Sequence, residues 1–172
     1  MKGFTLVEIL VAVGVFTILI LAVFQVMDIG RSSWFIGTVS IELRQEIIRA
    51  FMRMERELKE TRPAQTSLTS GTSSSSLTFR MPQDNNGDGT ILDSLGNIEW
   101  SGDITYALNG SNQITRTASG ATAILANNVV SLQFTRPTSP VNILQIDITV
   151  RKTTAVGPQM QDTGQIMIKM RN

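Results

Sequence analysis

A carboxylate at position 8 sits where an apolar setting should tolerate none. The segment Lys2-Gly3-Phe4-Thr5-Leu6-Val7-Glu8 runs directly into an apolar stretch that extends through Phe24. An unpaired carboxylate inside a bilayer costs roughly 2.5 to 3.5 kcal/mol on insertion scales, so Glu8 calls for a partner. A cut between Gly3 and Phe4 would supply one, because the freed Phe4 amine is cationic at neutral pH and stands at i to i+4 from Glu8. Within one chain the two groups would neutralise each other. In a staggered assembly Glu8 would instead meet the Phe4 amine of a neighbouring subunit, which makes Glu8 a register residue. Only three residues precede the apolar stretch, too few for a cleavable secretory signal, so the stretch is expected to stay on the chain. The plainer alternative is a signal anchor whose Glu8 snorkels to the headgroups.

A second constellation of oxygens lies in Asp84-Asn85-Asn86-Gly87-Asp88-Gly89-Thr90-Ile91-Leu92-Asp93. Asp84, Asn86, Asp88 and Thr90 stand at loop positions 1, 3, 5 and 7 with glycine at 6, the spacing by which an EF-hand gathers oxygens around a hard cation. Position 12 departs from the pattern, with Leu95 where a bidentate glutamate belongs, and Asp93 is the substitute ligand. Calcium is the one cofactor this sequence suggests. The competing expectation is a Gly/Asn/Asp turn between strands.

The chemistry that is missing narrows the function. With no histidine and no cysteine, the chain has no imidazole base, no thiolate, no disulfide and no histidine or cysteine zinc ligand. Serines and carboxylates are scattered, and no glycine loop precedes a helix to cradle a phosphate. An enzyme is not expected. The net charge is +1 and both ends of the chain are nearly balanced, which gives no electrostatic footprint for nucleic acid.

Two kinds of element must position these groups. Phe4 to about Val26 is long enough to span a bilayer, which takes roughly 20 apolar residues. Beyond it Ile36, Val39, Leu43, Ile47, Ala50, Met54 and Leu58 recur at spacings of three and four, the stripe of an amphipathic helix. Charges fill the other face, with Arg53–Glu57 and Glu55–Lys59 as exposed i,i+4 pairs. Pro63 stops the helix. Residues 64–76 read as a Ser/Thr-rich loop, followed by strands at 77–81, 104–108, 113–117, 129–135, 144–151 and 165–170. Asn109-Gly110 reads as a hairpin turn. The expected fold is α+β, a long N-terminal helix packed against an antiparallel sheet. Its parts are a leader at 1–3, a membrane and assembly half at 4–26, an amphipathic half at 27–62, the loop at 63–76 and a β-rich head at 77–172.

The string KGFTLVEILVAV resembles the type III prepilin leader of the type IV filament superfamily, which comprises pilins, type II secretion pseudopilins and competence pseudopilins. The resemblance implies cleavage between Gly3 and Phe4 by a prepilin peptidase, N-methylation of Phe4, and subunit docking through Glu8. More loosely, Ile104-Thr-Tyr-Ala-Leu108, Ile114-Thr-Arg116, Ile124 to Val129, Leu132-Gln-Phe134 and the terminal Arg171-Asn172 resemble the W-like and J-like minor pilins and minor pseudopilins. In type II secretion the largest tip pseudopilin typically lacks an acid at the position of Glu8, so the resemblance argues against that subunit.

The function these readings imply is a minor, tip-associated filament subunit, held in the inner membrane by one span with its head in the periplasm or outside the cell. Its implied partners are homologous pilins or pseudopilins, the prepilin peptidase and the inner-membrane assembly platform, with no nucleic acid and no small-molecule substrate. The alternatives are a major pilin and a surface-binding subunit, adhesive or DNA-binding.

Overall fold

The computed structural model describes residues 5–153 and 159–171. One helix, α1 (Leu6–Glu60), runs unbroken through Gly14, Gly30 and Gly37, and at 1.5 Å per residue it is about 80 Å long. Its first half is apolar enough to cross a membrane, and nothing among the described residues covers it. A helix satisfies its own backbone donors and acceptors there, which a bilayer interior demands. Asp28 and Arg31 are the first charges after Glu8.

The lower half of α1 changes character as the stripe required. Leu43, Ile47, Ala50, Met54 and Leu58 are buried, while Val39 packs at the edge of the core. The opposite face is less uniform than the charge pattern suggested. Glu46 and Glu57 are both buried, so Arg53–Glu57 is not the exposed pair that i,i+4 spacing implied. Ile41, Ile48 and Met52 are exposed in turn.

Glu60 is the last helical residue, followed by Thr61 in an extended conformation and a short 3-10 turn at Pro63–Gln65. Thr61 anchors this end: its hydroxyl donates to the Arg80 carbonyl at 2.5 Å, and its carbonyl accepts from the Arg171 N–H at 2.9 Å. Proline cannot donate to a continuing ladder, so the stop at Pro63 follows from its chemistry.

Among the described residues the head has eight strands: β1 (Thr72–Ser74), β2 (Ser76–Phe79), β3 (Ile104–Leu108), β4 (Ile114–Ala118), β5 (Ala121–Ala126), β6 (Val129–Arg136), β7 (Ile143–Thr153) and β8 (Gln159–Lys169). They form two antiparallel sheets, β2-β3-β4-β5 and β1-β6-β7-β8, where the sequence suggested one. The strands β1 and β5 were not foreseen: Thr72-Ser73-Ser74 is polar throughout, and Ala121-Thr-Ala-Ile-Leu-Ala126 does not alternate, so neither carries the period-two signal. The β3–β4 connection also differs from the expected Asn-Gly turn. The positive backbone angle falls at Asn112, with φ of 57°, and the Asn109 side-chain oxygen accepts from the N–H groups of Ser111 and Gln113 at 2.9 Å each.

α1 packs on β8, β5 and β7, and the core between them is built from Leu77, Phe79, Tyr106, Phe134, Ile146 and Ile148 with the helix stripe. Gly164 in β8 sets the distance. A Cβ there would stand 2.5 Å from Ile47 Cγ2 and 2.9 Å from Phe51 Cε2, so only glycine lets the helix lie this close to the sheet.

Candidate functional site

Thr5 and Glu8 form a closed motif at the start of α1. Thr5 is the N-cap. Its backbone N–H donates to Glu8 Oε2 at 2.8 Å, its hydroxyl donates to the same oxygen at 2.9 Å, and the Glu8 N–H donates back to the hydroxyl at 3.3 Å. This reciprocal capping box satisfies donors that would otherwise be orphaned at a helix end. Thr5-Leu6-Val7-Glu8 carries the T-x-x-E signal for it in the sequence, a signal the charge argument passed over. Glu8 thus gains a hydrogen-bond donor within its own chain. Among the described residues its second oxygen, Oε1, has no partner. Gly3 and Phe4, the residues of the cleavage reading, lie outside the described residues, as does Asn172.

Further along the helix, Glu57 ties α1 to the head. Its carboxylate accepts from Tyr106 Oη at 2.7 Å and from Arg116 Nε at 2.9 and 3.0 Å, and forms an ion pair with Arg53 Nε at 2.6 Å. Two guanidiniums and a phenol satisfy a buried acid, which isolated would be strongly unfavourable. Burial and the adjoining Glu57 push the Tyr106 hydroxyl well above the usual phenol range. Burial opposes the charge of Arg116, but Glu57 outweighs it and raises Arg116 above its ordinary value. Glu46 makes a second link, accepting from the Asn127 N–H at 2.9 Å beside Asn128, whose φ is 60°. Sequence reasoning paired Glu57 with Arg53 alone and did not single out Glu46, because their partners in the head lie 49 to 81 positions away.

The loop at Asp84 is organised by its own side chains. Asp84 accepts from the N–H groups of Gly87 and Gly89 at 2.7 and 2.9 Å, and both glycines have positive φ. The Asn86 side-chain oxygen accepts from the Asp88 N–H at 2.9 Å, and Asp88 accepts from the N–H and hydroxyl of Thr90 at 2.8 Å each. The Thr90 bonds hold the Asp88 carboxyl below its ordinary value. Four of the five spaced residues therefore lie in one turn. Asp93 belongs to the next one: it accepts from the N–H groups of Leu95 and Asn97 at 2.8 Å, and the Asn97 bonds lower its carboxyl too. Glu99, absent from the sequence reading, reaches back to the Asn85 N–H at 2.7 Å and Asn86 Nδ2 at 3.1 Å. Among the described residues no three carboxylates are gathered as a metal cluster requires.

The family described as the prokaryotic N-terminal methylation motif matches residues 1–24. No curated protein and no solved structure matches the chain. The match supports a type IV pilin-like subunit that is processed by prepilin peptidase and assembles with other pilin-type subunits. The apolar half of α1 fits a membrane-anchored chain with a soluble head.

Proposed function

We propose that this chain is a minor, tip-associated subunit of a type IV filament, either a pilin or a type II secretion pseudopilin. Cleavage between Gly3 and Phe4, methylation of Phe4 and docking through Glu8 are parts of that proposal, as is a head on the periplasmic side. The observation that carries it is the joining of the methylation motif to a helix whose first half is apolar, wholly uncovered and capped by the motif's own Thr5 and Glu8. Such a helix can be stored in lipid and later bury the same surface among other helices. With Oε2 taken by Thr5, Oε1 is the oxygen left for a neighbour's Phe4 amine. The subunit acts mechanically, initiating a filament or presenting its head at the tip.

Quantitative mass spectrometry of sheared filaments and membranes tests this reading. A methylated Phe4 terminus at low abundance beside a dominant pilin-like chain is the expected result. Equal or greater abundance would make the chain a major pilin, and an intact Met1 terminus would reject processing. Glu8→Ala should retain cleavage and lose assembly, and unchanged assembly would sink the register role.

Calcium at Asp84, Asn86, Asp88 and Thr90 also stays a proposal, supported by oxygen spacing and by the turn that collects those four residues. Its test is thermal melting with added calcium. A site that binds only the folded chain raises the melting temperature, and Asp84→Ala should abolish the rise.

A further inference from the structure

A cleft of about 340 Å³ opens between α1 and β5, lined by Arg49, Arg53, Arg116, Ala123, Ile124 and Leu125. Two independent features meet there. The first is charge. Arg49, Arg53 and Arg116 contribute three guanidiniums, and among the described residues the acids they pair with are Glu46 and Glu57. Both acids are buried, whereas the Arg49 and Arg53 side chains are 61% and 47% exposed. The cleft therefore presents positive charge to solvent. Each arginine meets its acid through one nitrogen: Arg49 through Nη1, Arg53 and Arg116 through Nε. Arg116 also interacts with Tyr106, which leaves the more exposed Arg49 and Arg53 to face solvent, and a planar guanidinium suits two-point recognition of a carboxylate.

The second feature is backbone. β5 ends its sheet, and no strand among the described residues pairs with its outer side. Natural edge strands are usually guarded by charge, proline, shortness or a cover. The other three edges here show such guards: β1 is three residues long, β2 is covered by Ser67, which bonds both the N–H and the carbonyl of Thr78, and β8 carries Asp162 and Lys169. β5 has neither charge nor proline, and although α1 packs against it, Ala121 to Ile124 stay exposed, Ile124 at 55%. The register shift opposite Ile114 and Thr115 confines the irregularity to one end and leaves Ala121 to Ile124 regular. Ala123 lies directly across from Arg116 on the adjacent strand, so the residue paired with that arginine is small.

We infer that this cleft is a docking site for an extended, acidic segment of a partner protein. The segment adds a strand to the outer edge of β5 and sets carboxylates on Arg49 and Arg53. Main-chain bonds supply affinity in this mode of recognition, and the side chains that alternate along the added strand supply specificity. The inference does not depend on which filament the chain serves.

The experiment uses the full chain in detergent micelles and a labelled eight-residue peptide alternating glutamate with valine, read by fluorescence anisotropy. Binding should fall steeply as salt is raised. The glutamine counterpart should bind about tenfold more weakly or worse, the loss that corresponds to one charge-assisted pair. The same acidic peptide methylated on alternate backbone nitrogens should also lose binding, because it cannot complete a ladder. Arg49→Gln, which keeps an amide donor for the buried Glu46, should weaken binding with a fall in melting temperature too small to account for the loss, and the β5 amides should exchange more slowly when the peptide is bound. Absence of binding would overturn the inference. So would equal binding by the N-methylated peptide, which would leave only a diffuse basic surface, or displacement by a single-stranded oligonucleotide at matched charge, which would make the cleft a general polyanion site.

Discussion

Tyr106 joins the buried Glu57 of α1 to the core of the head, and its chemistry makes a pH prediction. The phenol proton is kept on in the folded chain by burial and by Glu57, whereas an unfolded chain loses it near pH 10. Below about pH 10 both states bind the proton and Tyr106 contributes no pH dependence. Above it the unfolded state binds fewer protons, so stability falls with rising pH by up to about 1.4 kcal/mol per unit. Tyr106→Phe should flatten that alkaline decline, at a cost near neutrality of about 1 to 2 kcal/mol for the lost bond to a charged acceptor. Tyr106 is the only tyrosine, so tyrosinate absorbance reads the event directly: it should stay absent from the folded chain at pH 11 and appear on unfolding. An ordinary titration near pH 10 in the folded chain would contradict the buried cluster. The acid side belongs to the Asp84 loop. Asp88 and Asp93 have lowered carboxyl values, so what they contribute is present above the usual carboxylate range and is lost as pH falls through their folded values.

Between the elements, the contact that decides packing is Gly164 against Ile47 and Phe51. Gly164→Val adds a branched side chain where even a Cβ lies 2.5 Å from Ile47 Cγ2, and over-packing of this kind costs about 1 to 3 kcal/mol. The backbone there has no positive φ, so the penalty is steric and can be relieved. Combining Gly164→Val with Ile47→Ala should give a chain more stable than the sum of the two single changes, measured by denaturant melts, because each removes part of the other's damage. Strict additivity would mean that the helix does not press on β8 at this point. The stripe from Leu43 to Leu58 was legible because it repeats at helical spacing over several turns, and the six alternating strands were legible for the corresponding reason. Gly164 was not, since the need for a glycine in the middle of β8 shows only once the helix lies over it. β5 escaped because an Ala-rich edge has no alternation, and the second sheet escaped because strand order is a long-range property.

At the scale of the whole molecule, one helix serves two environments, and they are separable. The positions from Thr5 through Phe35 are all exposed, and the first buried helix residue is Leu43. The N-terminal motif was legible as spaced residues, and the apolar run as composition. That the head makes no use of either could be seen only when α1 was placed on the sheets, because hydropathy reports which residues avoid water and not what covers them. A chain beginning at Arg31 should therefore fold and stay soluble, with Ser32 and Ser33 available as new N-caps. Its melting temperature should match that of the full chain within about 4 °C, a shift corresponding to roughly 1 kcal/mol in a domain of this size. The same chain should be excluded from filaments, since it lacks both Glu8 and the apolar half. A larger fall in melting temperature would show that the upper helix supports the head, and the two halves would then have to be treated as one cooperative unit. With stability retained and assembly lost, the division of labour lies along α1 itself: residues before about 31 insert and dock, and residues after about 43 hold the head, with no energetic cost passed between them.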